Sequence, residues 1–374
     1  MGPCAVNLYG LPRSFKASVM PSLVQNVVRP NLPHKCDYFV HFDNADADTF
    51  NGRSDRIGKI NPTEILLLED VLNSEYAKAG IPRPLVSYCN TTPAEFQRKY
   101  KNLLHRINTE TNENGDPIFQ AYHHESYTNK TIENIIKMWN SQQSVWNLME
   151  NNPAGKHYSR VAMLRNDVVY MTPIDIYETG NWTKQWDQDN SVSIIPHFAR
   201  FPVNDRMIYG PYDAVKIWAS GRFQRLDQHA AYIQQFSHMG DGLHSERFLL
   251  NTIFPAIRQT GVSVQGKEGL CFLRVRADHS VRFSDCGKLH VTKHNHVAVE
   301  TMLNRPCTLN WTLAVEKNLV QLDCPLASER ATSSVSARGS SKWQQGCDAT
   351  LKKKRLTCSN EHASLVLAPH VLTN

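Results

Sequence analysis

VAMLRNDVVYMTPIDI, residues 161–176, is the stretch whose reading decides the fold. Val161–Leu164 and Val168–Tyr170 are apolar and β-prone, yet Arg165 and Asp167 stand two positions apart in the middle of the run. A charge in such a setting costs on the order of several kcal/mol unless it is paired or has a task. Upstream, Ile132, Ile135, Ile136, Trp139, Trp146 and Met149 recur at spacings of three, four and seven, which predicts an amphipathic helix over 131–150. A helix feeding a strand is one step of an α/β alternation. It puts Arg165 and Asp167 toward the C-terminal end of that strand, the edge where open α/β sheets bind ligands.

The same alternation runs through the first half of the chain. Ala5–Tyr9 is an apolar run that stops at Gly10 and leads through Pro12 and Arg13 into a helical stretch from about Lys16 to Val28. CDYFVHF (36–42) is a second strand, and the chain between the two is long enough for a crossover helix, so a parallel pairing is expected. Residues 62–75 and about 93–107 read as helices, TNENGDP (111–117) as a loop, SVSIIPHF (191–198) as a strand, and 204–222 as a turn followed by a helix. HSERFLLNTIFPAIRQTG (244–261) reads as a helix with Ser245 as its N-cap and Gly261 as its stop. Short strands follow at 271–277 and 280–286.

Bulk properties limit the class. A chain of 374 residues with 41% hydrophobic content and a formal charge of +6 is globular, with no concentrated basic face of the nucleic-acid-binding kind. A mild basic excess suits an anionic ligand such as a diphosphate. The nine cysteines are scattered without a C-x-x-C pair, so neither a compact zinc site nor a disulfide framework can be read, and several are expected as buried thiols. No apolar run reaches the roughly 18 to 20 residues that span a bilayer, and strand-like sequence from about Ala5 leaves no room for a secretory leader in the chain as given. Sequons at Asn90, Asn129, Asn181 and Asn310 matter only if the protein enters the secretory pathway; cytoplasm and Golgi both stay open. Met1-Gly2 begins like a myristoylation signal, but Val6 stands where Ser or Thr is required.

In a strand, Arg165 and Asp167 share a face about 7 Å apart. Either they form a local ion pair covered by a loop, or they stand at the mouth of a diphosphate-sugar site. There Asp167 would hold a divalent metal or the donor's ribose and sugar, and Arg165 would balance the carboxylate or the phosphates. A literal D-x-D, Asp46-Ala47-Asp48, follows the second strand beside Asp43 and Asn44, a setting in which solvated acids are ordinary. Asp205 is read either as an acidic helix entry or as a contact for a sugar hydroxyl, with Arg206 on a phosphate. Glu246 beside an N-cap serine has a similar double reading. His244 is a hydrogen-bonding residue or a metal ligand, and adjacent residues of His123-His124-Glu125 diverge in an extended loop. Ser245 lacks the flanking glycines of a nucleophile elbow.

YGLPRSF, CDYFVHF, LRNDVVYMTPIDI, NDRMIYGPYDAVKIW, HSERFLL and FLRVRADHSVRFSDC occur in that order over residues 4–286. Together they resemble the glycosyltransferase-like domains of plants, algae and large algal viruses, which are similar to the GT-A nucleotide-sugar transferases. The resemblance implies an α/β, Rossmann-like GT-A fold with a mixed central sheet, and a nucleotide-diphosphate sugar as donor. It implies that Gly10 and Arg13 line the nucleotide site, and that Asp167 occupies the place of the second or only Asp of the family's D-x-D. Here Arg165 replaces the first Asp, so a divalent cation (Mn or Mg) is in question, and Arg165 is the alternative counter-charge for the departing diphosphate. Likeness to inverting transferases makes Glu246 the candidate base, with Asp241 in reserve.

The expected organisation is a GT-A-like domain over 1–290, an extension over 291–324 that packs on it, and a flexible tail over 325–374, where Ser, Ala and Gly dominate and Lys352–Arg355 forms a basic run. The expected function is transfer of a sugar to an acceptor hydroxyl on a glycan or glycoprotein, with no nucleic-acid partner. The alternative is an inactive module of the same fold that binds a glycan or a protein partner. A methyltransferase or dehydrogenase is disfavoured, because NLYGLPRS lacks the repeated glycines a dinucleotide needs at the first turn.

Overall fold

The structure, a computed structural model, describes residues 2–47, 58–119, 129–178, 191–198, 200–236 and 242–277, and the strand backbone at 280–282, 308–310 and 320–323. The expected tail at 325–374 lies outside the described residues. The strands are β1 (Cys4–Tyr9), β2 (Asp37–Asp43), β3 (Val86–Thr91), β4 (Arg160–Arg165), β5 (Val168–Tyr170) and β6 (Val192–Pro196). They continue as β7 (Ile208–Pro211), β8 (Ser263–Lys267), β9 (Phe272–Val275), β10 (Ser280–Arg282), β11 (Thr308–Asn310) and β12 (Val320–Asp323).

Seven of these form a mixed central sheet in the order β3-β2-β1-β4-β7-β6-β8. β1 runs parallel to both β2 and β4, β2 is parallel to β3, and β7 is antiparallel to its neighbours β4 and β6. The chain is thus an α/β protein with a Rossmann-like parallel half, β3-β2-β1-β4, as the alternation in sequence implies. A second, five-stranded sheet has the order β11-β12-β10-β9-β5.

Strand alternation explains why β1 is buried from end to end. Cys4, Val6 and Leu8 enter one core, and Ala5 and Tyr9 enter the other on the opposite face. β4 divides in the same way, Ala162 and Leu164 from Val161 and Met163. The first core is roofed by a helical run from Phe15 to His34 that outlasts the expected end at Val28. Pro30 and Pro33 sit at first-turn positions of successive segments, where the missing N–H costs no helical bond. The second core is built on the Asn129–Glu150 helix, whose Ile132, Ile136, Trp139, Trp146 and Met149 face the sheet. Among the described residues, no helix is long and apolar enough to cross a membrane.

Three features differ from the sequence reading. Residues 161–170 are not one strand: β4 ends at Arg165, and Val168–Tyr170 crosses to pair antiparallel with β9 in the second sheet. Asn166 and Asp167 form the link, with the Asp167 carbonyl accepting from the Val275 N–H at 3.0 Å. The stretch before the helix Tyr212–Gln224 is a strand, β7, not a turn, and Gly210 in it is required because a Cβ there would overlap Ser193 of β6. Ser245 is not the N-cap; His244 holds that position, and Ser245 is the first helical residue.

Cys4 and Cys36 form a disulfide across a sequence separation of 32, joining the start of β1 to the residue before β2. Cys89 and Cys271 are disulfide-bonded as well. These four cysteines are therefore bridged rather than free thiols. In the loop-entropy account a bridge of this span stabilises by about 3 to 4 kcal/mol. The Cys4→Ser, Cys36→Ser double variant should melt well below the wild type under non-reducing conditions, and mass spectrometry of non-reduced peptides should find Cys4 linked to Cys36.

Candidate functional site

The C-terminal ends of β1, β2, β3 and β4 lie along one edge of the sheet, as parallel pairing demands. A cleft of about 500 Å³ opens there. Gly10, Arg13, Arg165, Asp167, Asp205, Arg206 and Glu246 all line it, although they come from four separate regions of the sequence. Asp241 lies outside the described residues, as do Asp48 of the literal D-x-D and His123-His124-Glu125. Asp46 is exposed.

The carboxylate of Asp167 is the centre of the cleft's electrostatics. Arg165 grips it with two guanidinium bonds, Nε to Oδ1 at 2.7 Å and Nη2 to Oδ2 at 2.8 Å. Arg13 Nη1 adds a third to Oδ2 at 2.7 Å, and the Asp167 side chain is only 2% exposed. Burial alone would push this carboxyl up. The charge and hydrogen bonds of Arg165, with Arg13 and Arg276 behind it, outweigh burial and hold Asp167 well below the usual carboxylate range. Arg165 is raised reciprocally: burial opposes its charge, but Asp167 beside it dominates. The break after β4 makes the two-toothed grip possible, since it turns Asp167 back toward the residue two before it.

The loop after β1 is shaped for the same edge. Gly10 adopts φ +114, a conformation L side chains rarely take, and a Cβ there would meet Asn166 Oδ1 at 3.1 Å. Asn166 laces this turn to β4 by donating from Nδ2 to the Gly10 carbonyl at 3.0 Å. Thus, in the triplet Arg165-Asn166-Asp167, the outer two residues line the cleft and the middle one fixes the turn that brings Arg13 to Asp167.

Asp43 ends β2 within the same cleft. Burial raises its carboxyl to about 6; Lys137 and Arg13 pull it down, and Asp167 pushes it further up. Glu133 is pulled the other way, for although burial raises it, Lys130 and Lys137 at 2.8 and 2.7 Å hold it below its ordinary value. Glu246 faces the cleft from the start of the 245–258 helical run, with His244 Nδ1 at 3.3 Å from its Oε2. Asp205 is buried and its negative charge acts on Tyr9, Arg165 and the buried Arg222 behind them.

Sequence reasoning set Asp43 among ordinary solvated acids, which its raised carboxyl corrects, and passed over His41, Thr91, Ser141, Arg274 and Arg276. For the two arginines a signal existed, since LRVRA places Arg274 and Arg276 two apart in an apolar strand, the same pattern that drew attention to Arg165 and Asp167. For Asp43 there was none, because an acid at the end of a strand looks solvated until the fold sets it beside Lys137, Arg13 and Asp167.

No protein-family model matches the chain. No curated protein matches it either. Among solved structures, the chain is similar to mouse xyloside xylosyltransferase 1, with 10% identity over 71% of this chain and 84% of that one, at a TM-score of 0.34. That likeness is too distant to carry a function across, and the cleft's own residues have to carry it instead.

Two substitutions test these electrostatics. Asp167→Asn leaves the partly buried guanidinium groups of Arg13 and Arg165 without this carboxylate and should lower the melting temperature at neutral pH. Because the folded carboxyl is depressed, its contribution is complete above the unfolded value near 4 and fades as pH falls below it, so the gap to wild type should close in strong acid. Asp43 has the opposite sign: its ionised form penalises the folded state, and stability is regained as pH falls through about 6. Asp43→Asn should therefore melt above wild type at pH 7.5, with the difference gone by about pH 4. Thermal melts across pH check both.

Proposed function

We propose that this chain is a glycosyltransferase that takes its sugar from a nucleoside-diphosphate sugar and passes it to an acceptor hydroxyl on a glycan. The observation that carries the proposal is the arginine-clamped Asp167 at the C-terminal edge of a parallel β sheet, in a cleft that also holds a second carboxylate, Glu246, and further guanidinium groups. Such an edge is where α/β sheets take nucleotides. The resemblance of the ordered motifs over 4–286 supports the same class.

A divalent cation at Asp167 does not fit these residues. Both carboxylate oxygens already accept guanidinium bonds, the first position of D-x-D is Arg165, and among the described residues no group of three or more His, Cys, Asp and Glu is placed to hold a metal. Arg13 and Arg165, each satisfied by Asp167 on one side, are instead positioned to meet a diphosphate on the other; Arg274 and Arg276 add positive charge along the same wall. In the reaction the acceptor oxygen bonds to the anomeric carbon. The bond from that carbon to the phosphate oxygen breaks, its electron pair leaves with the diphosphate, and guanidinium donors stabilise the charge that develops there. Glu246 receives the acceptor's proton, and His244 orients its carboxylate.

Incubation with UDP- and GDP-sugars in EDTA, reading free sugar and nucleoside diphosphate, tests the proposal. One donor should be turned over, slowly with water and faster with a glycan acceptor. Glu246→Gln should lower turnover about 100-fold or more while leaving nucleotide binding intact. Binding of a nucleotide sugar without release of sugar under any condition would favour the inactive binding module instead.

A further inference from the structure

Behind the cleft a chain of hydrogen bonds joins the turn after β1 to the Asn129–Glu150 helix, β2 and β3, and its direction follows from the fully buried Ser141 hydroxyl, which needs an acceptor for its proton. The Gly10 N–H donates to Ser141 Oγ at 2.8 Å, and Ser141 Oγ lies 2.6 Å from His41 Nδ1. Ser141 has no other partner among the described residues, so its hydroxyl proton goes to Nδ1, and His41 carries its own proton on Nε2. Burial supports the neutral ring, lowering His41 to about 3. His41 Nε2–H then donates to Thr91 Oγ1 at 2.8 Å.

Thr91 Oγ1 receives a second bond from Asn140 Nδ2 at 3.2 Å. The orientation of that amide is fixed from its other end, since Asn140 Oδ1 accepts from Lys99 Nζ at 3.1 Å and from the Tyr100 hydroxyl at 2.9 Å, and an ammonium can only donate. Both lone-pair directions of the Thr91 hydroxyl are thereby filled. Its proton has no acceptor among the described residues, and Thr91 lines the cleft. Its register partner across β2–β3 is Asp43, one strand spacing, about 4.8 Å, away.

From this geometry we infer that Thr91 is a specificity-determining residue for the nucleoside half of the donor: a one-way hydrogen-bond donor, locked by Ser141, His41 and Asn140, that works beside Asp43 as acceptor. The inference rests on the nucleotide-sugar reading above. With the diphosphate on Arg13 and Arg165 at the ends of β1 and β4, the nucleoside extends over the ends of β2 and β3, one and two strand spacings further along. There it meets a donor and an acceptor side by side, a pair suited to an adjacent acceptor and N–H or O–H group, whether on a base edge or on a ribose. A hydroxyl whose own lone pairs are spent rejects a ligand group that can only donate.

Calorimetric titration of the full chain with nucleoside diphosphates and with inorganic pyrophosphate tests this. Thr91→Val should weaken the preferred nucleoside diphosphate about tenfold and leave pyrophosphate unchanged, with Thr91→Ser within about twofold of wild type. On the wild type itself, base-swapped, 2′-deoxy and 3′-deoxy nucleotides should include at least one that binds about tenfold more weakly, and which one it is tells base from ribose. Equal affinity of wild type and Thr91→Val for the nucleotide, equal losses for nucleotide and pyrophosphate, or indifference to every change in the nucleoside would each overturn the inference. Failure of the wild type to bind any nucleotide while it remains folded would instead sink the glycosyltransferase reading beneath it.

Discussion

A single buried carboxylate organises this protein's cleft. Asp167 sits where the chain leaves the central sheet for the second one, and in isolation its charge would be untenable there. Arg165 from the last position of β4 and Arg13 from the loop after β1 make it tenable, with three bonds of 2.7 to 2.8 Å. The interaction therefore joins two strands that are neighbours in space and about 150 residues apart in sequence (154 between Arg13 and Asp167). Removing any partner exposes the desolvation cost of the others, which is why the trio behaves as a unit rather than as separable surface ion pairs.

The trio also sets the chemistry of the edge. On the proposed reading, guanidinium groups partly neutralised by a carboxylate face a diphosphate without the mutual repulsion that two bare cations would suffer. Asp43, raised by burial and by Asp167, and Glu246, beside His244, add carboxyl groups to the same lining. Behind the cleft a neutral polar chain, buried at Ser141 and His41, couples the first turn of the sheet at Gly10 to the end of β3 at Thr91. In the function proposed above, the guanidinium groups take the diphosphate, Glu246 serves the reacting sugar's acceptor, and Thr91 meets the nucleoside.

Much of this was legible in the sequence, for identifiable reasons. The charge pair in an apolar run announced Arg165 and Asp167, and the helix-then-strand rhythm located them at the C-terminal edge of the sheet. What sequence could not supply was the break between them, because Val168–Tyr170 has strand composition whichever sheet it joins. β3, β7 and β8 escaped notice because they are short or only partly buried, so their alternation is faint. The Cys4–Cys36 pairing escaped because spacing alone does not choose partners among nine cysteines. His41, Thr91 and Ser141 escaped for a deeper reason: a lone polar residue in a strand or helix carries no mark until the fold brings it within bonding distance of others 50 and 100 residues away.

The central claim is that the arginine clamp on Asp167 provides the cationic seat for a diphosphate. The most direct measurement is calorimetric titration of UDP and GDP into the wild type and into Arg165→Met, each in EDTA and again in excess Mn²⁺. The account predicts that the wild type binds one of them equally well in both buffers and that Arg165→Met loses most of that affinity. Nucleotide binding that vanishes in EDTA, or that survives unchanged in Arg165→Met, would contradict it.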